Sequence, residues 1–115
     1  MIVAGFGYRS GATAASLRNA LALAQADAPP VTHVATLADK LPLLAALGLP
    51  MIALETLEEV ATPTRSTASL AARGTGSVAE AAALAGAGPG ACLLVPRQIS
   101  ADRMATCAIA EGVPA

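Results

Sequence analysis

The residues best suited to do chemistry lie in Gly74-Thr75-Gly76-Ser77-Val78-Ala79-Glu80-Ala81-Ala82-Ala83-Leu84, a glycine-rich turn running directly into a helix. Gly74 and Gly76 let the backbone bend tightly and present its N–H groups. Ser77 and Glu80 have the Ser-x-x-Glu spacing of a capping box, which sets where the helix begins. Backbone donors and the positive end of the helix dipole then converge on one spot, which suits an anion. The same pair is equally well explained if it only starts the helix.

Three cations belong to the same pattern. Gly5-Phe6-Gly7-Tyr8-Arg9-Ser10-Gly11 follows a short apolar run and approaches the dinucleotide fingerprint G-x-G-x-x-G. Ser10 occupies the third glycine position, and Ala35-Thr36 at the end of the second apolar run offers no acidic residue for a ribose. What remains is a tight strand-to-helix turn, or an anion-binding loop to which Arg9 adds a permanent charge. Thr36-Leu37-Ala38-Asp39-Lys40 repeats the geometry, with Thr36 placed to cap a helix and Lys40 either contributing charge or simply solvated. Arg97 follows a further strand. Loops at the carboxyl ends of a parallel sheet gather around one crevice. Arg9, Lys40 and the turn Gly74, Thr75, Gly76 and Ser77, with Arg97 as a fourth contributor, are therefore expected to face that crevice.

Acid–base chemistry would fall to Glu80, Lys40 or Asp39, with Glu80 and Lys40 the catalytic candidates. His33 is the only histidine and sits in an apolar run, where a hydrogen-bonded side chain is expected rather than a base. There is no Cys-x-x-Cys pair, nucleophile elbow or Walker loop. Neither a cofactor nor a protein-held metal is expected.

The elements that must position these residues read as alternating strands and helices. Met1–Ala4 reads as a buried strand ending at Gly5-Phe6-Gly7, followed by a helix from Ala12 to Ala26 and a second strand over Val31–Ala35. Leu37–Leu47 reads as a helix with Pro42 in its first turn and Gly48 as its stop. Met51–Leu54 is a third short apolar run. Thr56 and Glu59 open a further short helix, and Ala61–Ser69 reads as a loop. The helix from Val78 to Ala87 is followed by strands over Ala91–Val95 and Met104–Ala110. Strands separated by helices predict an α/β fold: one domain over residues 1–115, a mainly parallel sheet with helices on both faces.

Composition narrows the function classes. Seven Lys and Arg balance eight Asp and Glu, and Phe6 and Tyr8 are the only aromatic residues, which argues against nucleic acid. High hydropathy comes from alanine, and the longest apolar runs, Leu41–Leu54 and Ala81–Pro96, are too short and too broken to span a membrane. Cys92 and Cys107 are expected to pack as small hydrophobes in a reduced, cytoplasmic protein.

The chain resembles the family of CobE and the C-terminal domain of CbiG, proteins of cobalamin biosynthesis. The resemblance rests on Gly5-x-Gly7-x-Arg9-x-Gly11, on Ala35-Thr36 with Lys40, on Ser66, and on the run Gly74–Ala83. Leu93-Leu94-Val95-Pro96 and Ala105-Thr106-Cys107-Ala108-Ile109-Ala110 complete it. Arg97 stands where members often carry Lys, and Pro42-Leu43-Leu44 replaces an acidic residue that often follows Lys40. The resemblance implies a protein that binds a carboxylate-rich corrin-ring intermediate through Gly7, Arg9, Thr36, Lys40, Ser66, Gly74–Ser77 and Arg97. Two alternatives stay open: a lactone hydrolase or other ring-modifying enzyme, and a non-catalytic carrier or partner of other cobalamin-biosynthesis enzymes.

Overall fold

The computed structural model describes residues 1–26, 28–55 and 77–112. Strand β1 (Ile2–Tyr8) leads to helix α1 (Ala14–Gln25), β2 (His33–Leu37), helix α2 (Leu41–Leu44, flanked by 3-10 turns Ala38–Lys40 and Ala45–Leu47) and β3 (Met51–Leu54). Helix α3 (Val78–Ala87), β4 (Cys92–Ile99) and β5 (Ala105–Glu111) follow. The strands form one sheet in the order β3-β2-β1-β5-β4. β1, β2 and β3 are parallel neighbours, whereas β5 runs antiparallel to both β1 and β4. β4 therefore points the same way as β1. Four strand ends, those of β1 to β4, share one edge of the sheet, and β5 alone runs against them. The sheet is thus mixed, parallel on the β3-β2-β1 side and closed on the other by a β4–β5 hairpin.

Strand side chains alternate between the two faces, and the core divides accordingly. Val3, Ala35, Leu37, Ala108 and Ala110 pack with the alanines of α3. Ala4, Phe6, Val34, Cys107 and Ile109 pack with Leu17, Ala20 and Ala24 of α1 and Leu44 of α2. Helix α3 is an unusually small-residued helix; Ala79, Ala81, Ala82 and Ala83 are wholly buried. That smoothness allows a very close approach to β1. A Cβ on Gly5 would stand 2.1 Å from Ala79 O and 2.2 Å from Ala83 N, so no side chain fits there.

Gly5 and Gly7 accordingly lie inside β1, not in a loop after it, and only Arg9–Gly11 make the turn. The reason is packing: the glycine that looked like part of an anion loop is required where α3 crosses the strand. The second strand also runs further than its apolar letters suggest, so Thr36 is a strand residue and not a helix cap. Its hydroxyl donates to Phe6 O at 2.8 Å, and Leu37 precedes the first 3-10 turn without a side-chain cap. Gly48 stops the following helical segment in the left-handed region, φ 71°, as its position predicted. The helix at Thr56 and the loop Ala61–Ser69 lie outside the described residues.

Candidate functional site

The edge carrying the carboxyl ends of β1 to β4 also carries the N-terminus of α3. A Cβ on Gly7 would lie 3.2 Å from Val78 Cβ, which puts the first turn of α3 directly against the end of β1. Ser77 caps α3 from an extended conformation, its Oγ accepting from Glu80 N at 3.3 Å, and is itself buried. The expected helix start is therefore in place. Gly74, Thr75, Gly76 and Ser66 lie outside the described residues.

Glu80 does more than sit in a cap. Its side chain is fully buried, and Oε2 accepts the backbone N–H of Arg97 at 2.9 Å. Arg97 lies within β4, not after it, because β4 extends to Ile99 through two irregularities. The register slips by one residue between Leu93 and Val95 and again between Val95 and Gln98. Pro96 has no N–H to give the ladder, and the bulge beside it turns the Arg97 N–H away from β5. The buried carboxylate takes that donor, so α3 and the outer strand are joined at the residue that bears the charge.

Lys40 and Arg9 sit elsewhere on the same edge. Lys40 ends the 3-10 turn after β2, and its Nζ lies 4.8 Å from the centre of the Tyr8 ring. The Tyr8 hydroxyl donates to Lys40 O. Burial, then the nearby Asp39 charge, push the Tyr8 phenol above its ordinary range, opposed by a backbone N–H from Leu43. Arg9 is exposed, and its N–H donates to Met104 O at 2.9 Å, which ties the turn after β1 to the β4–β5 hairpin. Thr106 Oγ1 donates to Gly7 O at 3.3 Å beside it.

The described candidates are therefore spread along one edge: Ser77, Glu80 and Arg97 at α3, Gly7 and Arg9 at the end of β1, and Lys40, after β2, over the Tyr8 ring. Three strand spacings separate β2 from β4, about 14 Å across the sheet. Thr36, buried and committed to Phe6 O, is close to the edge but offers its hydroxyl to the backbone. His33 opens β2 at the opposite edge, with Nδ1 2.8 Å from Thr32 Oγ1. Cys107 is buried, whereas Cys92 is exposed on the outer strand and does not pack as expected.

A polar network near the edge escapes a motif reading. Asp102, in the β4–β5 connection, accepts from Ser16 Oγ at 2.6 Å and from the Ser100 hydroxyl. Ser100 is buried and its Oγ also accepts from Ala105 N at 3.1 Å. Hydrogen bonds from Ser100, Ser16 and the Met104 N–H hold the Asp102 carboxyl below its ordinary range. The available signal was Ser100-x-Asp102 between two apolar runs, the composition of a tight turn.

Comparison with known proteins agrees with this architecture. A family model described as "Cobalamin synthesis G C-terminus" matches residues 2–110. The fold is similar to the crystal structure of CobE, a protein from the cobalamin (vitamin B12) biosynthetic pathway, with a TM-score of 0.82 and 30% identity over 98% of this chain and 91% of that one. It is also similar to cobalamin biosynthesis protein chiG from Agrobacterium tumefaciens str. C58, with a TM-score of 0.71 and 34% identity over 99% of this chain and 100% of that one. No curated protein matches the chain significantly. Among the described residues no helix is long and apolar enough to cross a membrane. With the glycine-to-helix element, the sheet order and a match across nearly its whole length, this chain belongs to the cobalamin synthesis G C-terminal family of cobalamin-biosynthesis proteins.

Proposed function

We propose that the protein binds a carboxylate-rich corrin-ring intermediate along the carboxyl edge of its sheet. The observation that carries this reading is the separation of cationic and N–H-donating groups along one edge: Arg9, Lys40, Arg97 and the N-terminus of α3. Cations and N–H donors spread over several strand ends suit a wide ligand with several acidic arms better than a compact anion. Guanidinium, ammonium and backbone N–H groups are all appropriate partners for carboxylates. Ser66, Gly74, Thr75 and Gly76 belong to this reading on the sequence resemblance alone. Tyr8 and aliphatic surface would meet the ring.

Glu80 is a positioning residue in this reading, since its buried carboxylate serves the Arg97 backbone. Titration with hydrogenobyrinic acid, followed by ring absorbance, tests the proposal. A saturable spectral change is expected, with Arg9→Ala, Lys40→Ala and Arg97→Ala each weakening it about tenfold. An unchanged spectrum at high protein concentration would overturn it.

A further inference from the structure

The β4–β5 connection contains a cation that no motif singles out. Arg103 has φ 61° and is the only non-glycine residue among those described with a positive φ. Its N–H donates to Ser100 O at 2.8 Å, closing a β-turn over Ser100–Arg103. Hairpin connections with a left-handed residue after such a turn favour glycine there, because a Cβ crowds the following carbonyl oxygen in that conformation. This chain, which has ten glycines, places an arginine at that position.

The turn is also held firmly. Asp102 accepts from Ser16 and Ser100, Ser100 accepts from Met104 N and Ala105 N, and Asn19 Oδ1 accepts Ala101 N at 2.7 Å. Three separate polar anchors on α1 and the hairpin thus fix a segment that ends in an exposed, strained arginine. The next residue, Met104, receives Arg9 N–H through its carbonyl. The backbones bearing Arg9 and Arg103 are therefore neighbours at the end of β1. Neither guanidinium has a hydrogen-bond or ion-pair partner among the described residues, whereas Arg18 donates to Ala46 O. The Asp102 carboxylate next in sequence is occupied by two hydroxyls and a backbone N–H.

We infer that Arg103 is a ligand-contacting residue that, with Arg9, forms a two-guanidinium receptor for one acidic arm of the bound molecule. The inference rests on the ring-binding reading and adds to it a residue and a subsite at the β1–β5 corner. A carboxylate reached by both flexible side chains would receive bidentate, charge-assisted hydrogen bonds. Backbone strain retained at a rigid corner is understandable if the side chain is what the position is for.

The test separates stability from affinity. Arg103→Gly relieves the strained position, so Tm is expected to rise by about 3 °C, while affinity for hydrogenobyrinic acid falls about tenfold. Arg103→Asn, which also tolerates the left-handed region, should lose the same affinity, and Arg103→Lys only part of it. If Arg103→Gly lowers Tm, the residue serves the turn and the inference fails. The inference also fails alone if the wild type binds, Arg9→Ala weakens binding, and Arg103→Gly binds like wild type. A silent wild-type titration would instead remove the ring-binding reading itself.

Discussion

Glu80 illustrates how one residue can carry several meanings that only its neighbours separate. In the chain it is the fourth residue of a capping box; in space it is a buried carboxylate holding the outer strand through Arg97 N. Removing an acceptor from a buried donor costs about 1–3 kcal/mol, whereas replacing it with another acceptor costs much less. Glu80→Ala should therefore lower the unfolding free energy read from urea titration by that amount, and Glu80→Gln should stay close to wild type. Faster hydrogen exchange at the Arg97 amide in the Ala variant alone would identify the lost contact. Equal damage from both substitutions would mean that charge, not the Arg97 bond, is what the fold needs.

Among the elements, the β4–β5 hairpin and the start of α1 behave as a unit. Ser16 serves both the α1 capping box with Thr13 and the Asp102 carboxylate. Asp102 titrates below its ordinary value of 3.8 in the folded protein, through the Ser100 hydroxyl first and then Ser16. The folded state therefore binds its proton less readily than the unfolded state. Stability from this group is complete above the ordinary value and is lost as pH falls through the lower folded value. Acidification below about pH 4 should lower the protection factors of the amides at 101–105, relative to their intrinsic exchange rates, and Asp102→Asn should remove that pH dependence. An unchanged acid response in the variant would assign it to another carboxylate. This unit was hard to read because Ser16 and Asp102 are 86 residues apart. The helix caps at Ser77 and Gly48, by contrast, are local and were legible.

For the molecule as a whole, the two cysteines report separately on surface and core. Cys92 is exposed on β4, while Cys107 is buried on β5, where desolvation raises its thiol far above the ordinary range. Thiolate is the reactive form. A thiol reagent at pH 8 should modify one site quickly in the native protein and the second only as fast as the fold opens. Rapid reaction of both would mean that the sheet opens locally around β5. The radius of gyration, 12.2 Å, is close to the value of about 13 Å expected for a domain of this size. A ring spanning Lys40 to Arg97 would thus lie across the protein's edge.

Composition, short motifs and apolar runs determined the α/β class, the main helix starts and stops, and the set of cations with which an acidic ligand would have to deal. These depend on forces acting within a few residues: caps, dipoles, glycine at a left-handed stop, and the alternation of strand and helix. Tertiary structure alone decided that Gly5 belongs inside β1, because α3 must reach the strand backbone there. It also reversed β5, drew Arg97 into a bulged β4 beside Glu80, and tied Arg9 to Met104, the residue after Arg103. Strand direction and register follow from which distant surfaces pack best. That competition is settled across the whole molecule, and no window of the chain contains it.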